Sequence, residues 1–142
     1  MILDAQNNFS DGQAISGTSA TPSTNSIDLG AVRQMGVGEP LYVLVNVPVA
    51  AGGTTPTLTM KIQTDDNSSF SSATDLLTTQ AYAAAALVAG AQFVLPLPVS
   101  GMERYIRMSY TMGGTSPTIT VDAHVVTSAQ LAALYPSGYS IQ

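Results

Sequence analysis

The stretch Thr57–Thr64, TLTMKIQT, decides the fold class. Its apolar residues, which are Leu, Met and Ile, alternate with polar residues. Successive side chains of a β-strand point to opposite faces, so this period of two predicts a strand with one face in a core and the other in water. The same alternation recurs in Tyr105–Met112 and in Thr118–Val126. The sequence therefore predicts a fold built from half-buried strands.

Five further segments have strand character. Leu41–Val49, LYVLVNVPV, is almost continuously apolar and predicts a central strand, with Pro48 near its end, where a missing backbone donor matters least. Weaker patterns predict strands at Gln13–Gly17, Ser26–Leu29, Leu76–Ala81 and Phe93–Leu97. Clusters of glycine, proline and small residues predict turns at Ala50–Gly53, Pro98–Gly101 and Met112–Pro117. About eight short strands spaced in this way are typical of a sandwich, a barrel or a jelly roll.

Two segments have helical composition. Ser128–Leu134 begins at a capping residue, Ser128, and is stopped by Pro136. Ala81–Gly90 holds a run of alanines that fits either a helix or an extended connection, and the sequence leaves this choice open.

The length of 142 residues fits one domain, 1–142, which can fold around its own core. We expect residues 13–127 to form an all-β, jelly-roll-like β-sandwich of about eight antiparallel strands. Residues 1–12 and the tail 128–142 mix apolar and polar side chains without clear strand alternation. Free termini are disordered unless they dock, so we expect both to be extended arms that grip a neighbour.

Composition excludes several classes of function. The chain has no cysteine, so it has no disulfide, thiolate zinc site or cysteine nucleophile. Its four cations, Arg33, Lys61, Arg104 and Arg107, stand against nine acids, and the net charge of −5 makes nucleic-acid binding an unexpected role. The N-terminus has no signal-peptide pattern, and glycine, glutamine and proline interrupt the longest apolar run, so no membrane association is expected. Only 9% of the residues are charged, which fits a surface that packs against neighbours.

The stretch Thr64–Ser72, TDDNSSFSS, raises the question of a cation site. Asp65, Asp66 and the nearby Asp75 could bridge a cation through their carboxylates. The stretch lacks the glycine and the closing glutamate of an EF-hand loop, however. Asp and Asn side chains commonly accept hydrogen bonds from backbone amides two residues on, so a structured turn between two strands is the favoured interpretation.

His124 is the only histidine, and it shares a strand face with Asp122. No nucleophile elbow of the GxSxG type accompanies the pair, so a catalytic triad is not expected. One histidine without cysteine also fits no structural zinc site. We therefore expect no enzymatic activity, no metal and no cofactor.

Contact with a partner is the remaining role. Arg104 and Arg107 leave opposite faces of their strand, and an arginine on a charge-poor surface is a typical interface anchor, although a solvated ion pair explains each equally well. Jelly rolls also bind carbohydrate, usually through exposed aromatic platforms, and this chain has no tryptophan. A virion-associated module that binds host-surface glycans is therefore kept as the alternative.

Five segments together are similar to a known family. They are MILDAQNNFSDGQAIS, SIDLGAVRQMGVGEPLYVLVNV, KIQTDDNSSFSSATDL, ERYIRMSYTM and YPSGYSIQ. In order and spacing they resemble the capsid cement, or decoration, proteins of short-tailed bacteriophages, of the kind first described for a Bordetella phage. The resemblance covers nearly the whole chain, and it rests on order and spacing, because none of the segments is a chemical signature.

This resemblance implies a jelly-roll-like protein on the outside of an icosahedral shell whose major capsid protein has the HK97-like fold. It implies homodimers at two-fold positions, or trimers, that clamp neighbouring capsomers against the pressure of packaged DNA. It also implies an outer-capsid location in a virion assembled in the bacterial cytoplasm, with no catalysis and no cofactor. The resemblance assigns no contact residues. From the residues themselves we expect partner contacts at Ile2, Leu3, Phe9, Arg104, Arg107, Tyr135 and Tyr139.

Overall fold

The computed structural model of the chain describes residues 5–132, which form one antiparallel sheet of eight strands. The strands are β1 (Asn8–Ser16), β2 (Thr21–Pro22), β3 (Ile27–Asp28), β4 (Leu41–Asp65), β5 (Thr74–Thr78), β6 (Tyr82–Ala83), β7 (Ala91–Pro96) and β8 (Tyr105–Thr127). One short helix, α1 (Ser128–Ala132), follows β8, and single 3-10 turns lie at Ala5–Asn7 and Ala84–Ala86. The prediction of an all-β chain with about eight antiparallel strands is confirmed.

Two long strands form the centre of the sheet. β4 has 25 residues and β8 has 23, and they pair from Leu41 opposite Thr127 to Asp65 opposite Tyr105. β7 pairs with the first half of β4, whereas β5 and β6 pair with its second half. On the other side, β2 and β3 pair with the first half of β8, and β1 pairs with its second half. Every other strand therefore depends on the β4–β8 pair.

Both long strands are irregular near their middles, where they face each other. The register of the β4–β8 pair shifts repeatedly between Asn46 and Thr57. At this level Gly53 and Thr55 in β4, and Gly114 and Ser116 in β8, have positive φ angles. Left-handed residues within a ladder are typical of β-bulges, which bend a strand and strengthen its twist.

The bulges decide which residues face the interior. The core-facing residues are odd-numbered in the first half of β4 and even-numbered in the second half; in β8 they are even-numbered first and odd-numbered later. They are Val43, Val45 and Val47, then Leu58, Met60 and Ile62 in β4, and Ile106, Met108, Tyr110 and Met112, then Ile119, Val121, Ala123 and Val125 in β8. Side chains alternate between the two faces of a strand, so the core-facing positions change from odd to even numbers only where an odd number of extra residues is inserted. The bulges supply these extra residues, and the same face of each half therefore points inward. Both halves contribute to one core cluster, so the predicted sandwich is one continuous sheet folded around its core.

Two predicted turns are wrong. Residues 50–53 and 112–117 lie within β4 and β8, facing each other across the bend, and the ladder continues through them. Glycine and proline clusters serve bulges as well as turns, because both need left-handed residues or a missing donor. Pro48 accordingly lies inside β4, in the interval where the register shifts, and not near a strand end.

The predicted N-terminal arm is also partly wrong. β1 begins at Asn8, and Phe9 and Ser10 within it are both 0% exposed. The register shifts between Asn8 and Ser10 and again before Gln13, and these bulges break the alternation that would have marked a strand. Residues 8–12 therefore belong to the sheet, while residues 1–4 lie outside the described part of the chain.

The helical predictions have mixed outcomes. α1 begins where predicted, but its cap is Thr127 and not Ser128: Thr127 Oγ1 accepts from the Gln130 amide at 3.3 Å, and Gln130 Oε1 accepts from the Thr127 amide at 2.9 Å. This reciprocal pair is a capping box. The alanine run, left open above, forms the 3-10 turn Ala84–Ala86. Within residues 5–132, no helix is long and apolar enough to cross a membrane.

The bend yields a test of the fold. A Cβ atom at Gly53, where φ is +99°, would lie 2.6 Å from the Ser116 carbonyl oxygen across the bend. Gly90 has a similar φ of +85°, but nothing lies within 4 Å of its Cβ position. We expect Gly90→Ala to cost about 1–2 kcal/mol of left-handed strain. Gly53→Ala should cost at least about 3 kcal/mol, because backbone atoms must also move.

Urea unfolding of both variants measures this difference in the free energy of unfolding. Equal costs at the two positions would show that the close approach across the bend does not constrain the fold.

Candidate functional site

The stretch 64–72, which begins with the last two residues of β4, forms a structured turn. Asp65 is 0% exposed, and its carboxylate accepts hydrogen bonds from the amides of Asn67 at 3.0 Å and Ser72 at 2.8 Å. The Ser72 hydroxyl donates to the same carboxylate at 3.1 Å. Asn67 Oδ1 in turn accepts from the Ser69 amide at 3.0 Å. The two side chains organise the backbone of the turn, as predicted.

The electrostatics of Asp65 fit this structural role. Burial raises the pKa of its carboxyl group, but the amides of Asn67 and Ser72 outweigh that effect, and the net pKa lies below its usual value. A carboxylate that accepts several backbone hydrogen bonds is stabilised in its charged form. Asp65 therefore stays ionised because the turn supplies the donors.

Asp65, Asp66 and Asp75, which were considered above as the less favoured cation site, do not form one cluster around this turn. Asp75 pairs with Lys61 at 2.6 Å and accepts from Gln63 at 2.7 Å, and both contacts lower its pKa. Carboxylate oxygens of Asp65, Asp66 and Glu103 instead come within 4.8 Å of one another. Since amide and hydroxyl donors already occupy the Asp65 carboxylate, this cluster provides no evidence for a metal site.

Arg107 packs on the same turn. Its guanidinium carbon lies 4.2 Å from the centre of the Phe70 ring, and its Nε donates to Gln63 Oε1 at 3.0 Å. Partial burial lowers the pKa of this guanidinium, while the nearby Asp65 raises it. Phe70 is 8% exposed and has a positive φ of 52°, so the ring is folded back as an anchor. Arg107, predicted as a partner contact, has an internal structural role in the described chain.

Arg104, which immediately precedes β8, forms a two-pronged ion pair with Asp28 at the end of β3. Its Nε and Nη2 donate to the two carboxylate oxygens of Asp28 at 2.9 and 3.0 Å. The same carboxylate accepts from the Gly30 amide at 2.7 Å. The Arg104 guanidinium, with help from this amide, lowers the pKa of Asp28 to about 2. Both side chains remain nearly half exposed, so the pair is a surface feature with an internal partner.

His124 lies on the sheet face opposite the core cluster. It is 8% exposed, and burial lowers the pKa of its imidazole although Asp122 and Asp11 act to raise it. Its Nδ1 makes no hydrogen bond, and the buried side-chain oxygens of Asn8 and Asn46 have none either. Asp122 Oδ1 instead accepts from the Gly12 amide. The described chain therefore does not assemble the hydrogen-bonded His–Asp pair of a triad.

The other predicted contact residues have different outcomes. Phe9 is fully buried in the core cluster, so the prediction that it contacts a partner is wrong: its side chain fills the interior between the sheet halves. Ile2, Leu3, Tyr135 and Tyr139 lie outside the described residues, and their contacts stay predictions.

A groove of about 580 Å³ opens beside the N-terminal 3-10 turn. It is lined by Ala5–Asn7, Asn8, residues 25–29 and Met35. None of these lining residues is aromatic, so the groove offers no stacking platform for a sugar ring.

One surface feature was missed by sequence reasoning. The loop of residues 30–40, between β3 and β4, carries the exposed side chains of Val32, Arg33 and Val37. Val32 is 72% exposed and Val37 is 71% exposed. Within residues 5–132, Arg33 is the one cation with no ion pair, side-chain hydrogen bond or ring contact. The signal in the sequence was an arginine between valines in a glycine-rich segment.

The Asp65 turn yields a test that depends on pH. We expect Asp65→Asn to lower the melting temperature at pH 6, because an amide group replaces an acceptor that receives hydrogen bonds through both oxygens. The folded-state pKa of Asp65 is below its ordinary value of 3.8. The stabilisation by its ionised form is thus complete above about pH 5 and is lost as pH falls through the folded-state pKa.

Thermal unfolding of both proteins between pH 2 and pH 6 measures this effect. The difference from the wild type should shrink as pH falls through the folded-state pKa of Asp65, which lies below its ordinary value. Glu39→Gln, which removes an exposed acid, serves as the charge-matched control. A difference that stays constant with pH would contradict the assigned role.

The comparisons with known proteins give one family. No curated protein matches the chain at a significant level. The family model named Bbp16 matches residues 9–128, most of the described sheet, and the name points to a Bordetella phage protein. The chain therefore belongs to the Bbp16 family.

Proposed function

We propose that the chain is a structural virion protein that binds the exterior of an icosahedral phage capsid and clamps neighbouring capsomers. The match of the Bbp16 family model across residues 9–128 carries this proposal, because the family name points to a Bordetella phage protein. The resemblance of five ordered segments to phage cement proteins supplies the specific role. We also propose that the protein is not an enzyme and needs no cofactor.

The chemistry of the described residues supports a contact role. Asp65, Asp28 and Arg107 are engaged in holding loops and strands, and His124 lacks a hydrogen-bonded acid. A surface with few charges and exposed valines suits burial against a protein partner, since charges are depleted at interface cores. The proposed partner is a major capsid protein with the HK97-like fold, together with a second copy of the chain at two-fold positions.

The proposed mechanism is thermodynamic linkage. A protein that binds the assembled lattice but not separated capsomers stabilises the lattice by mass action. The gain is about 2.7 kcal/mol per site when the free protein is at one hundred times its dissociation constant. Many such sites on the outer capsid surface of the virion resist the outward pressure of packaged DNA. No phosphate contact is needed outside the shell, in agreement with the net charge of −5.

Binding to empty shells tests the proposed function. The purified protein is mixed with expanded, undecorated shells of its parent phage, and co-sedimentation and the melting temperature of the shells are measured. We expect saturable binding at a fixed ratio to the major capsid protein and a raised melting temperature. Shells that are already decorated provide the control for occupied sites. Absence of binding to any form of the shell would overturn the proposal.

The terminal segments yield a separate prediction. Deleting residues 1–10 would remove Phe9 and Ser10 from the interior, so the arm is tested by deleting residues 1–4 or residues 133–142. We expect each truncated protein to keep the wild-type circular dichroism spectrum and to sediment less completely with shells, because apolar arms gain burial by docking. Full attachment of both truncated proteins would refute a role for the arms.

A further inference from the structure

We propose that the 30–40 loop is the part of the described surface that contacts the capsid shell, and that it binds a patch combining a carboxylate with apolar side chains. This inference rests on the proposed function and names the contact within it. Three independent observations support the proposal: the availability of Arg33, the exposure of two valines, and the anchoring of the loop at two points.

The first observation concerns charge. Lys61 pairs with Asp75, Arg104 pairs with Asp28, and Arg107 packs on Phe70 and donates to Gln63. Arg33 has no such partner within residues 5–132 and is exposed. Of the four cations of the chain, it is the one whose charge no group within residues 5–132 engages. Arginine is enriched at interface hot spots, where its planar guanidinium pairs with a carboxylate through two hydrogen bonds.

The second observation concerns apolar exposure. Val32 and Val37 are the most exposed of the large hydrophobic residues in the described chain, at 72% and 71%. Each leaves apolar area in water, and burial of that area against a partner is favourable. Single exposed valines are ordinary, but here two of them lie in the same loop as the free cation. A charged anchor with apolar neighbours that exclude water is the arrangement of an interface hot spot.

The third observation concerns the anchoring of the loop. The Gly30 amide donates to Asp28, which is also held by Arg104, the residue that immediately precedes β8. Met35, in the middle of the loop, packs against the core cluster. A fixed beginning and a packed centre reduce the ordering cost of binding, so the exposed side chains are presented in advance.

The chemistry of the loop defines the patch that it fits. An arginine between two aliphatic side chains requires an acidic group within a shallow apolar surface. The chain itself carries nine acids, so a second copy could also supply such a group. Under the proposed function the capsid exterior is the occupant, and a self-interface is a separate result that the experiment recognises.

The experiment compares variants in the shell-binding assay. Arg33→Glu should weaken binding roughly tenfold or more, because it reverses the one available charge at the contact. The double variant Val32→Ser, Val37→Ser should weaken it by a similar factor. Val88→Ser with Val99→Ser is the matched control, since these valines are 51% and 43% exposed and lie outside the loop. Binding by the wild type should also weaken with added salt, and this dependence should be smaller for Arg33→Gln.

The outcomes separate the two proposals. Circular dichroism and melting temperature first confirm that every variant is folded. If the wild type binds shells and the loop variants bind equally well, the loop assignment is overturned while the proposed function stands. If the wild type does not bind, the proposed function fails independently of the loop. If sedimentation velocity shows that the variants lose self-association while their binding to shells is unchanged, the loop is a self-interface, and that result also overturns the assignment.

Discussion

The antiparallel pairing of β4 with β8 is the constraint on which the rest of the structure depends. The two strands run together from Leu41 opposite Thr127 to Asp65 opposite Tyr105, and all other strands pair with one of them. A flat ribbon of this length would expose one whole apolar face. The bulges near Gly53 and Gly114 bend both strands at one level and shift the inward-facing positions, so both halves enclose the same core. Glycine occupies the left-handed positions where the two strands approach most closely, because it adopts a positive φ angle without a steric penalty.

The alternation of apolar residues was sufficient to predict the two halves of each long strand, but not their continuity. Residues 50–53 and 112–117 contain glycine and proline, which occur in hairpin turns and in bulges for the same stereochemical reasons. The change of the inward-facing positions, from odd to even in β4 and from even to odd in β8, was visible in the sequence and indicates bulges. β1 was missed at its start because two register shifts hide the burial of Phe9.

The site was harder to predict, because the partners of its charged residues are distant in sequence. Arg104 meets Asp28, and Arg107 meets Gln63 and Phe70, only after the sheet has formed. Residue type alone therefore could not distinguish an arginine that contacts a partner from one that is already paired. The Asp65 turn was predicted correctly, because its hydrogen bonds connect residues within a few positions. Arg33 emerges only by elimination, once the other three cations are seen to be engaged.

The carboxylates of Asp65 and Asp28 each hold a loop in place, but they differ in burial. We therefore expect Asp65 to matter for the stability of the fold and Asp28 for the geometry of a binding surface. Asp65 is fully buried although residues 66–69 of the turn that it organises are exposed, so its hydrogen bonds tie an exposed turn to the interior of the sheet. Asp28 is nearly half exposed, and an ion pair of that kind adds little to global stability because solvent screens it. Its effect is geometric: Asp28 connects Arg104, which immediately precedes β8, to the Gly30 amide, where the 30–40 loop begins. A surface ion pair that fixes the exit of a loop can thus influence how Val32, Arg33 and Val37 are presented without being required for folding.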